Sequence, residues 1–585
     1  MRSFLVLRSF TCAAACCVAL AVLSASVIQA AEFKPFLTLK IAGPGTIANI
    51  VEKMGSVVND NYQQMPIANV KAELSALKKL PGVNTNGVIG LALQINENNP
   101  LGMDIVLTLP ISNLETFNIP GQEMYVTMLK AMMQKEGNRY MLSSPVGDFV
   151  AYQKAGYFVV ATMDAADVAQ SVDPKTMFAG LDKMTLGVTF DLENISLENI
   201  EVMMGSLSML LAMQGMETDP DALLEQLSVS EFFDEFSSVT CGVTIDERTL
   251  TLAGSMQTVP KKGSQTAEKF QKMKNAKTMF GGFLHDTSKT VFSWSYMDYL
   301  TDNEIAEATM ALQLLGDSFA EGFRETSEED EGDHGELFAR LTEIIVEWLH
   351  ENIESLGTEK SVDVALSLDS DGILLYAQAA KKPELAIKIG NDLYSALPEL
   401  LGDETGKAVQ AIINSKMKQN YETVEGFSLS GLSNMFTELP PGTVVPRAFR
   451  DLPLSLLWAT KKDEAVAVAV GFDFARTERA LKAALEKTKT PTQPKQTGVF
   501  ALKPFGELML KQVLPFAERQ GGELAEAKGT FTIMASAENS AKIVVTTEFP
   551  GDTRLQKVQI DGKCFTTLLK VGKLTELTAA QAARE

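Results

Sequence analysis

The stretch TLGVTFD, Thr185 to Asp191, alternates apolar with small or polar residues, the period of two that predicts a β-strand. Two predicted helices follow it, then a hairpin around the turn at Asp246 and Glu247, and then another helix. The same order, strand, helix, helix, hairpin, helix, begins again at TVFSWSY, Thr290 to Tyr296. Hairpins outnumber strand-helix-strand crossovers, so we expect an α+β fold of antiparallel sheets covered by helices.

These two copies carry the most clearly predicted elements. In the second of them, Thr301 and Glu304 form a capping box that begins a helix. The predicted helices are Ser196 to Met213, Asp221 to Phe236, Ser264 to Lys274, Thr301 to about Phe319, Leu337 to Leu356 and Pro383 to about Leu400, and the hairpin strands are Ser238 to Ile245, Thr249 to Val259, Val362 to Leu368 and Ile373 to Ala380.

Two weaker copies lie on either side, and a linking hairpin with a helix follows the first and third copies. Their predicted strands are Phe36 to Ala42, Val88 to Ile95, Met103 to Leu109, Asp148 to Gln153, Tyr157 to Thr162, Leu454 to Thr460, Ala465 to Phe472, Val499 to Lys503, Thr530 to Ser536 and Lys542 to Glu548, and their helices are Thr46 to Val58, Asn69 to Lys79, Asp164 to Ser171, Ala475 to Lys487 and Leu508 to Arg519. We interpret the chain as two tandem halves of two modules each. The alternative is that a large α+β protein contains such successions without duplication.

This interpretation divides the chain into consecutive segments. They are a signal peptide (1–30), a first α+β module (31–135), a linking hairpin and helix (136–182), a second module (183–285), a third module (286–405) with an acidic loop (325–336), linking strands and a helix (406–490), a fourth module (491–575) and a flexible tail (576–585).

The N-terminus has the layout of a secretory signal peptide. Arg2 and Arg8 precede an apolar stretch, and Ala30 provides a small residue for cleavage. We therefore expect an exported protein, periplasmic or extracellular. The alternatives are an uncleaved anchor or lipidation at Cys16 or Cys17. No other stretch reaches 18 uninterrupted apolar residues, so we do not expect a helical membrane protein after signal removal.

The charge balance excludes one class of partner. The chain has 52 Lys and Arg against 74 Asp and Glu, a net charge of −22, and this does not suit a nucleic-acid partner. Seven of the acids lie in the segment from Glu325 to Glu336, which predicts a solvated loop, with a calcium site as the alternative. Asp369, Asp371 and Gly372 open like a calcium loop, but Ala380 stands where such a loop needs Glu, so a hairpin turn is favoured.

No motif in the sequence predicts catalysis, a cofactor or a metal. The chain has no Gly-x-Ser-x-Gly elbow, and its histidines, His285, His334 and His350, are not paired with cysteines. The segment from Gly43 to Gly45 lacks the lysine of a phosphate loop. Cys241 and Cys564 are either one disulfide or two separate thiols, and the strand position of Cys241 favours thiols. We therefore assign no catalytic, cofactor-binding or metal-ligating residue.

The methionines suggest a binding role as an alternative to a structural one. They are concentrated at Met203, Met204, Met209, Met213 and Met216, and again at Met124, Met128, Met132 and Met133. Flexible thioethers fill irregular cores, and they also suit adaptable apolar surfaces. The favoured hypothesis is an exported, non-enzymatic binding or scaffolding protein for an apolar ligand or protein partner. The alternative is an exported hydrolase with a carboxylate-based active site.

Overall fold

A computed structural model gives the fold over most of the chain. The structure describes residues 33–59, 78–96, 103–119, 122–144, 147–174, 177–196, 198–199, 233–281, 283, 288–329, 334–354, 356, 360–380, 382–401, 403–433, 453–489, 496–515, 525–568 and 570–572. The signal peptide and nearly all of the helices predicted at Asn69 to Lys79, Ser196 to Met213 and Asp221 to Phe236 lie outside these residues.

The fold is mixed, 39% helical and 37% strand, with antiparallel sheet covered by helices. In chain order the strands are β1 (Leu37–Ile41), β2 (Ile89–Ile95), β3 (Met103–Leu109), β4 (Met133–Glu136), β5 (Arg139–Ser144), β6 (Gly147–Lys154), β7 (Tyr157–Thr162), β8 (Leu186–Asp191), β9 (Phe236–Ile245), β10 (Leu252–Pro260), β11 (Thr290–Tyr299), β12 (Ser361–Asp369), β13 (Leu374–Ala379), β14 (Met417–Val424), β15 (Phe427–Leu432), β16 (Ser455–Lys461), β17 (Ala465–Gly471), β18 (Gln496–Ala501), β19 (Lys542–Glu548) and β20 (Arg554–Ile560).

The principal helices lie between these strands. They are α1 (Pro44–Asn59), α2 (Glu123–Met132), α3 (Ala166–Ser171), α4 (Gln265–Asn275), α5 (Asp302–Glu329), α6 (His334–Glu354), α7 (Pro383–Leu401), α8 (Asp403–Lys416), α9 (Phe474–Glu486), α10 (Leu502–Leu508) and α11 (Ala525–Ala535). No helix among the described residues combines the length and the apolar character needed to cross a membrane.

The chain forms two compact units. Unit 1 comprises Met1–Ala267 and Asp552–Gly562, and unit 2 comprises Glu268–Gly551 and Lys563–Glu585. In unit 1 the strands lie in the order β4, β5, β6, β7, β3, β2, β1, β8, β9, β10, β20, each antiparallel to its neighbour. The C-terminal strand β20 thus completes the sheet that the N-terminal part of the chain begins.

Unit 2 repeats the strand order of unit 1. Its order is β14, β15, β16, β17, β13, β12, β11, β18, β19, again antiparallel throughout. The first nine strands in the unit 1 order, which run from β4 to β9 across the sheet, correspond one to one with the nine strands of unit 2. Each unit 2 strand has the number of its unit 1 counterpart plus ten. Each unit also places a helix directly before its four-stranded meander, α2 before β4 and α8 before β14.

Each sheet packs one face tightly beneath a helix. In unit 2 that face carries small side chains such as Ala365, Ala377 and Ala467, all fully buried, against Leu481 and Leu485 of α9. In unit 1 the corresponding packing brings β6 and β7 against α3, where Ala165 and Ala169 lie in the same cluster as Val106, Val150 and Val159. Small residues allow the helix and the sheet to approach closely, and this fixes which face of each sheet is closed.

Most predicted helices within the described residues are confirmed, and so are the predicted hairpins except the one that pairs Thr530 to Ser536 with Lys542 to Glu548. The capping box is also present: Thr301 N donates to Glu304 Oε2 at 2.7 Å, and Glu304 N donates to Thr301 Oγ1 at 3.2 Å. Five of the described strands have no counterpart in the sequence-based prediction: β20, which joins the unit 1 sheet beside β10, and the strands β4, β5, β14 and β15, which precede the linking hairpins. These last four convert each linking hairpin into part of a four-stranded meander.

Two predictions are wrong. Thr530 to Ser536 is helical, within and just after α11, and β19 pairs with β18 instead. The β-branched alternation there is misleading because Phe531 packs edge-on against Phe505 and Thr532 Oγ1 bonds the Lys528 carbonyl, as in a helix. The segment 325–336 is not a loop throughout, since α5 extends to Glu329 and α6 begins at His334. Glu and Arg are good helix formers, so the charge there does not end the helix.

A candidate apolar binding face

One face of the unit 1 sheet is lined by apolar side chains over five adjacent strands. We call it the open face. The register of β2, β1, β8, β9 and β10 aligns three rows, Leu93-Leu37-Phe190-Val239-Thr258, Leu91-Leu39-Val188-Cys241-Met256 and Ile89-Ile41-Leu186-Val243-Gly254. None of these fifteen positions carries a charge. Directly paired residues in an antiparallel sheet point to the same side, so the rows form one continuous surface.

Several large side chains on the open face are exposed. Leu186 is 47% exposed, Phe190 40% and Met256 37%. Val558 of β20 pairs with Gly254 and extends the third row, and its exposed fraction is 38%. Contiguous exposed apolar surface in a folded protein marks a contact site for a ligand or a partner.

The opposite face of the same strands is closed by a short loop. Lys40 is only 4% exposed, and its ammonium donates to the carbonyls of Leu181, Asp182 and Met184 at 2.8, 2.6 and 3.1 Å. Burial lowers the pKa of Lys40, although the nearby Asp182 carboxylate opposes this. The loop residue Phe178 lies where a side chain at Gly90 would stand, so Gly90 lets the loop approach the sheet.

In unit 2 the corresponding face is more aromatic. Register places one row across eight strands from β19 to β15: Val545, Gly498, Trp294, Leu366, Tyr376, Val468, Trp458 and Ser430. Trp294 is 38% exposed and stacks on Tyr296, with ring centroids 5.3 Å apart. By strand pairing, Trp294 occupies the position that Leu39 has in unit 1. Both sheets therefore have a large-residue face opposite their closed face.

Unit 2 also contains a partly buried ionic cluster around Lys269. The Lys269 ammonium contacts Asp298 Oδ2 at 3.1 Å and Glu304 Oε1 at 2.6 Å, and Tyr296 Oη donates to Asp298 Oδ2 at 2.8 Å. Burial acts to raise the pKa of Glu304, but hydrogen bonds from Lys269 and Thr301 outweigh it, so the pKa is lowered. The contacts of Lys269 join α4 to β11 and to the start of α5.

Asp363 is the buried carboxyl with the most altered ionisation among the described residues. It is 6% exposed, and burial raises its pKa to about 6, although hydrogen bonds from Thr278 Oγ1 at 2.6 Å and the Met279 amide at 3.3 Å act in the opposite direction. Asp363 lies on the closed face of unit 2, where Thr278 and Met279 are its hydrogen-bonding partners.

The structure places the cysteines and the hairpin turn as the favoured interpretations had them. Cys241 and Cys564 are two separate thiols rather than a disulfide. Burial raises the pKa of Cys241, which lies in the middle row of the open face. Asp369 accepts hydrogen bonds from the amides of Asp371 and Ile373 within the β12–β13 turn. These contacts use the Asp369 carboxylate to hold the turn.

The remaining candidates do not form a site. Gly43 and Gly45 lie against the backbone of residues 85–87, so they serve close packing at the start of α1. His285 lies outside the described residues. No group of three His, Cys, Asp or Glu side chains within the described part of the chain is arranged to hold a metal ion.

The methionines of α2 are on the surface rather than in the core. Met124, Met128 and Met132 are 72%, 56% and 44% exposed, whereas Met133 lines an apolar gap beneath the helix. The core-filling interpretation is therefore wrong for these three residues. Their spacing of four places them on one helical face, which the sequence shows, but only the fold shows that this face is the outer one.

Comparisons with known proteins give no relative for this chain. No family model, no curated protein and no solved structure matches it.

Proposed function

We propose that the protein is an exported, non-enzymatic binding protein that takes an extended apolar ligand, such as a fatty acyl chain, on the open face of unit 1. The observation that carries the proposal is the uncharged three-row surface on which Leu186, Phe190 and Met256 remain exposed. Export is supported by the signal-peptide pattern at residues 1–30.

The dimensions of the open face suit a chain-like ligand. Neighbouring strands lie about 4.8 Å apart, so the five strands from β2 to β10 present a row of roughly 19 Å. An extended acyl chain of about sixteen carbons has a similar length. Burying it would remove apolar surface of both molecules from water, at roughly 25 cal/mol for each Å². No charged side chain in the three rows would lose hydration in the process.

We also propose that the two units arose by tandem duplication. The support is the shared strand order, in which each of eight pairings in unit 1 has a counterpart in unit 2. The proposed repeat is then a half of the chain, containing two of the modules expected from the sequence.

The binding proposal is tested by titrating the purified protein with a fluorescent fatty-acid analogue and by native mass spectrometry of the protein from its own host. We expect saturable binding and a co-purifying lipid mass. The double variant Leu186→Gln with Phe190→Gln should weaken probe binding by more than about tenfold, because it places amides in the ligand path.

Ile345 provides a matched control. It is an apolar residue of α6 with an exposed fraction of 42%, and Ile345→Gln should bind the probe as the parent protein does. Equal loss in both variants, or no saturable binding in the parent protein, contradicts the proposal. Turnover of ester or glycoside substrates by the parent protein would favour the hydrolase instead.

A further inference from the structure

Helix α2 has apolar residues on both of its sides. Val126 is buried against the body of unit 1, whereas Met124, Tyr125, Met128 and Met132 are between 44% and 72% exposed. A helix that is apolar all round is normally buried on all sides. The outer face of α2 therefore lacks the cover that its composition predicts.

The packing between α2 and the sheet also leaves a gap. An entirely apolar gap of about 40 Å³ lies beneath it, lined in part by Leu107, Leu129, Met133 and Phe158. Val126 is the one residue of α2 that the structure shows fully buried. A contact on the outer side of α2 would add to the few apolar contacts that now hold it.

The fold itself does not require this surface. In unit 2 the equivalent helix, α8, also runs directly into the first strand of the meander. Its exposed residues include Asp403, Glu404, Lys407 and Asn414, a solvated surface. The same structural position therefore accepts a polar outer face, and the methionine face of α2 needs an explanation beyond folding.

We infer that α2 is the contact surface between two copies of this chain, paired about a two-fold axis with the helices antiparallel. At roughly 200 Å² for a fully exposed side chain of this size, the four exposed residues present roughly 450 Å² of apolar surface per copy. Two copies would bury roughly 900 Å² before flanking groups are added, close to the ~1,000 Å² expected of a specific interface. The expected product is a weak dimer.

Charge supports a partner of this kind. Glu123 lies at the start of α2, while Lys130 and the exposed Lys135 lie at and beyond its end. Antiparallel pairing brings each acidic end beside the basic end of the other copy, and it opposes the helix dipoles. An anionic membrane surface is a poorer partner, because it would place Glu123 at the start of α2 against like charge.

The test is sedimentation velocity of the full-length mature protein over a range of concentrations. We expect a reversible monomer–dimer equilibrium, and Met128→Glu should raise its dissociation constant by more than about tenfold, since it places two like charges near the axis. Met310 is the matched control, a helical methionine of unit 2 with an exposed fraction of 59% against 56% for Met128. Met310→Glu should leave the equilibrium unchanged.

Disulfide trapping gives a second readout that does not depend on tolerance of a charge. Met128 is central in the exposed row and so lies nearest its own copy across the axis; Met128→Cys should form a covalent dimer on mild oxidation, and Met310→Cys should not. A parent protein that stays monomeric at all concentrations overturns the inference, as does equal trapping by both variants. Flotation with vesicles that Met128→Glu abolishes would overturn it in favour of a lipid surface.

Discussion

The two sheets pair their strands in the same order, yet they fill equivalent positions differently. Leu39 and Trp294 occupy one such position, Ala92 and Ser367 a second, and Lys40 and Ser295 a third. Strand order therefore determines which residues share a face, but it does not determine whether that face is aliphatic, aromatic or polar. Unit 1 keeps an aliphatic open face and an apolar α2, whereas unit 2 has an aromatic row and a charged α8.

The largest expected difference between the units is in how much a substitution on the closed face lowers the free energy of unfolding. Lys40→Met removes a buried ammonium that donates to three carbonyls in the loop from Leu181 to Met184 of unit 1, and unit 2 has Ser295 at the equivalent position. We expect a loss of about 3 kcal/mol in the free energy of unfolding, because buried carbonyls lose their donor.

The measurement is urea unfolding of Lys40→Met and Ser295→Ala beside the parent protein. Ser295→Ala should cost less than about 1 kcal/mol. If Lys40→Met were as stable as the parent, the loop would be held by packing alone.

A second difference is the pH dependence of stability, to which we expect Asp363 of unit 2 to contribute. Its pKa is about 6 in the folded protein against the ordinary 3.8. The folded state therefore favours the protonated carboxyl, so this contribution to stability is complete below about pH 4 and is lost as the pH rises through 6. The full change is about 2 to 3 kcal/mol.

Chemical denaturation at pH 4.5 and pH 7.5 checks the effect of Asp363. Asp363→Asn should remove this component of the pH dependence while leaving the other titrating groups in place. An unchanged pH profile in Asp363→Asn would show that Asp363 ionises freely in the folded protein.

The smallest expected effect comes from making unit 2 resemble unit 1. Ser367 is fully buried on the closed face, and its hydroxyl oxygen has no hydrogen-bonding partner among the described residues. Unit 1 has the fully buried Ala92 at this position. Ser367→Ala should be neutral or stabilise the protein by up to about 1 kcal/mol, because a buried unpaired hydroxyl is removed. A rise in the thermal midpoint tests this, and a clear fall would indicate a bound water at the hydroxyl.

Much of the secondary structure could be predicted from local pattern. The alternation in Leu186–Asp191, the turn at Asp369 to Gly372 and the capping box at Thr301 and Glu304 all rest on neighbours in sequence. The failure at Thr530 to Ser536 has the opposite cause, because the contact of Phe531 with Phe505 decides the helix. Tertiary packing overrides β-propensity at such positions.

The candidate site could not be predicted in this way. Its rows join Leu91, Leu39, Val188, Cys241 and Met256, which are dispersed over more than 150 residues of sequence. Alternation predicts that each strand has an apolar side, but it does not say which strands adjoin or which side a helix will cover. The exposure of the α2 methionines could not be predicted from the sequence for the same reason.

By itself, the sequence determined most of the strands and hairpins, the acidic charge and the absence of any familiar catalytic motif, since each depends on composition or short spacing. The tertiary structure decided the shared strand order of the two units, the closing of one face by α3, α9 and the Lys40 loop, and the exposure of Leu186, Phe190 and Met256 on the opposite face of unit 1. These features depend on long-range pairing and on burial, and the energy of burial belongs to a surface assembled from distant segments of the chain.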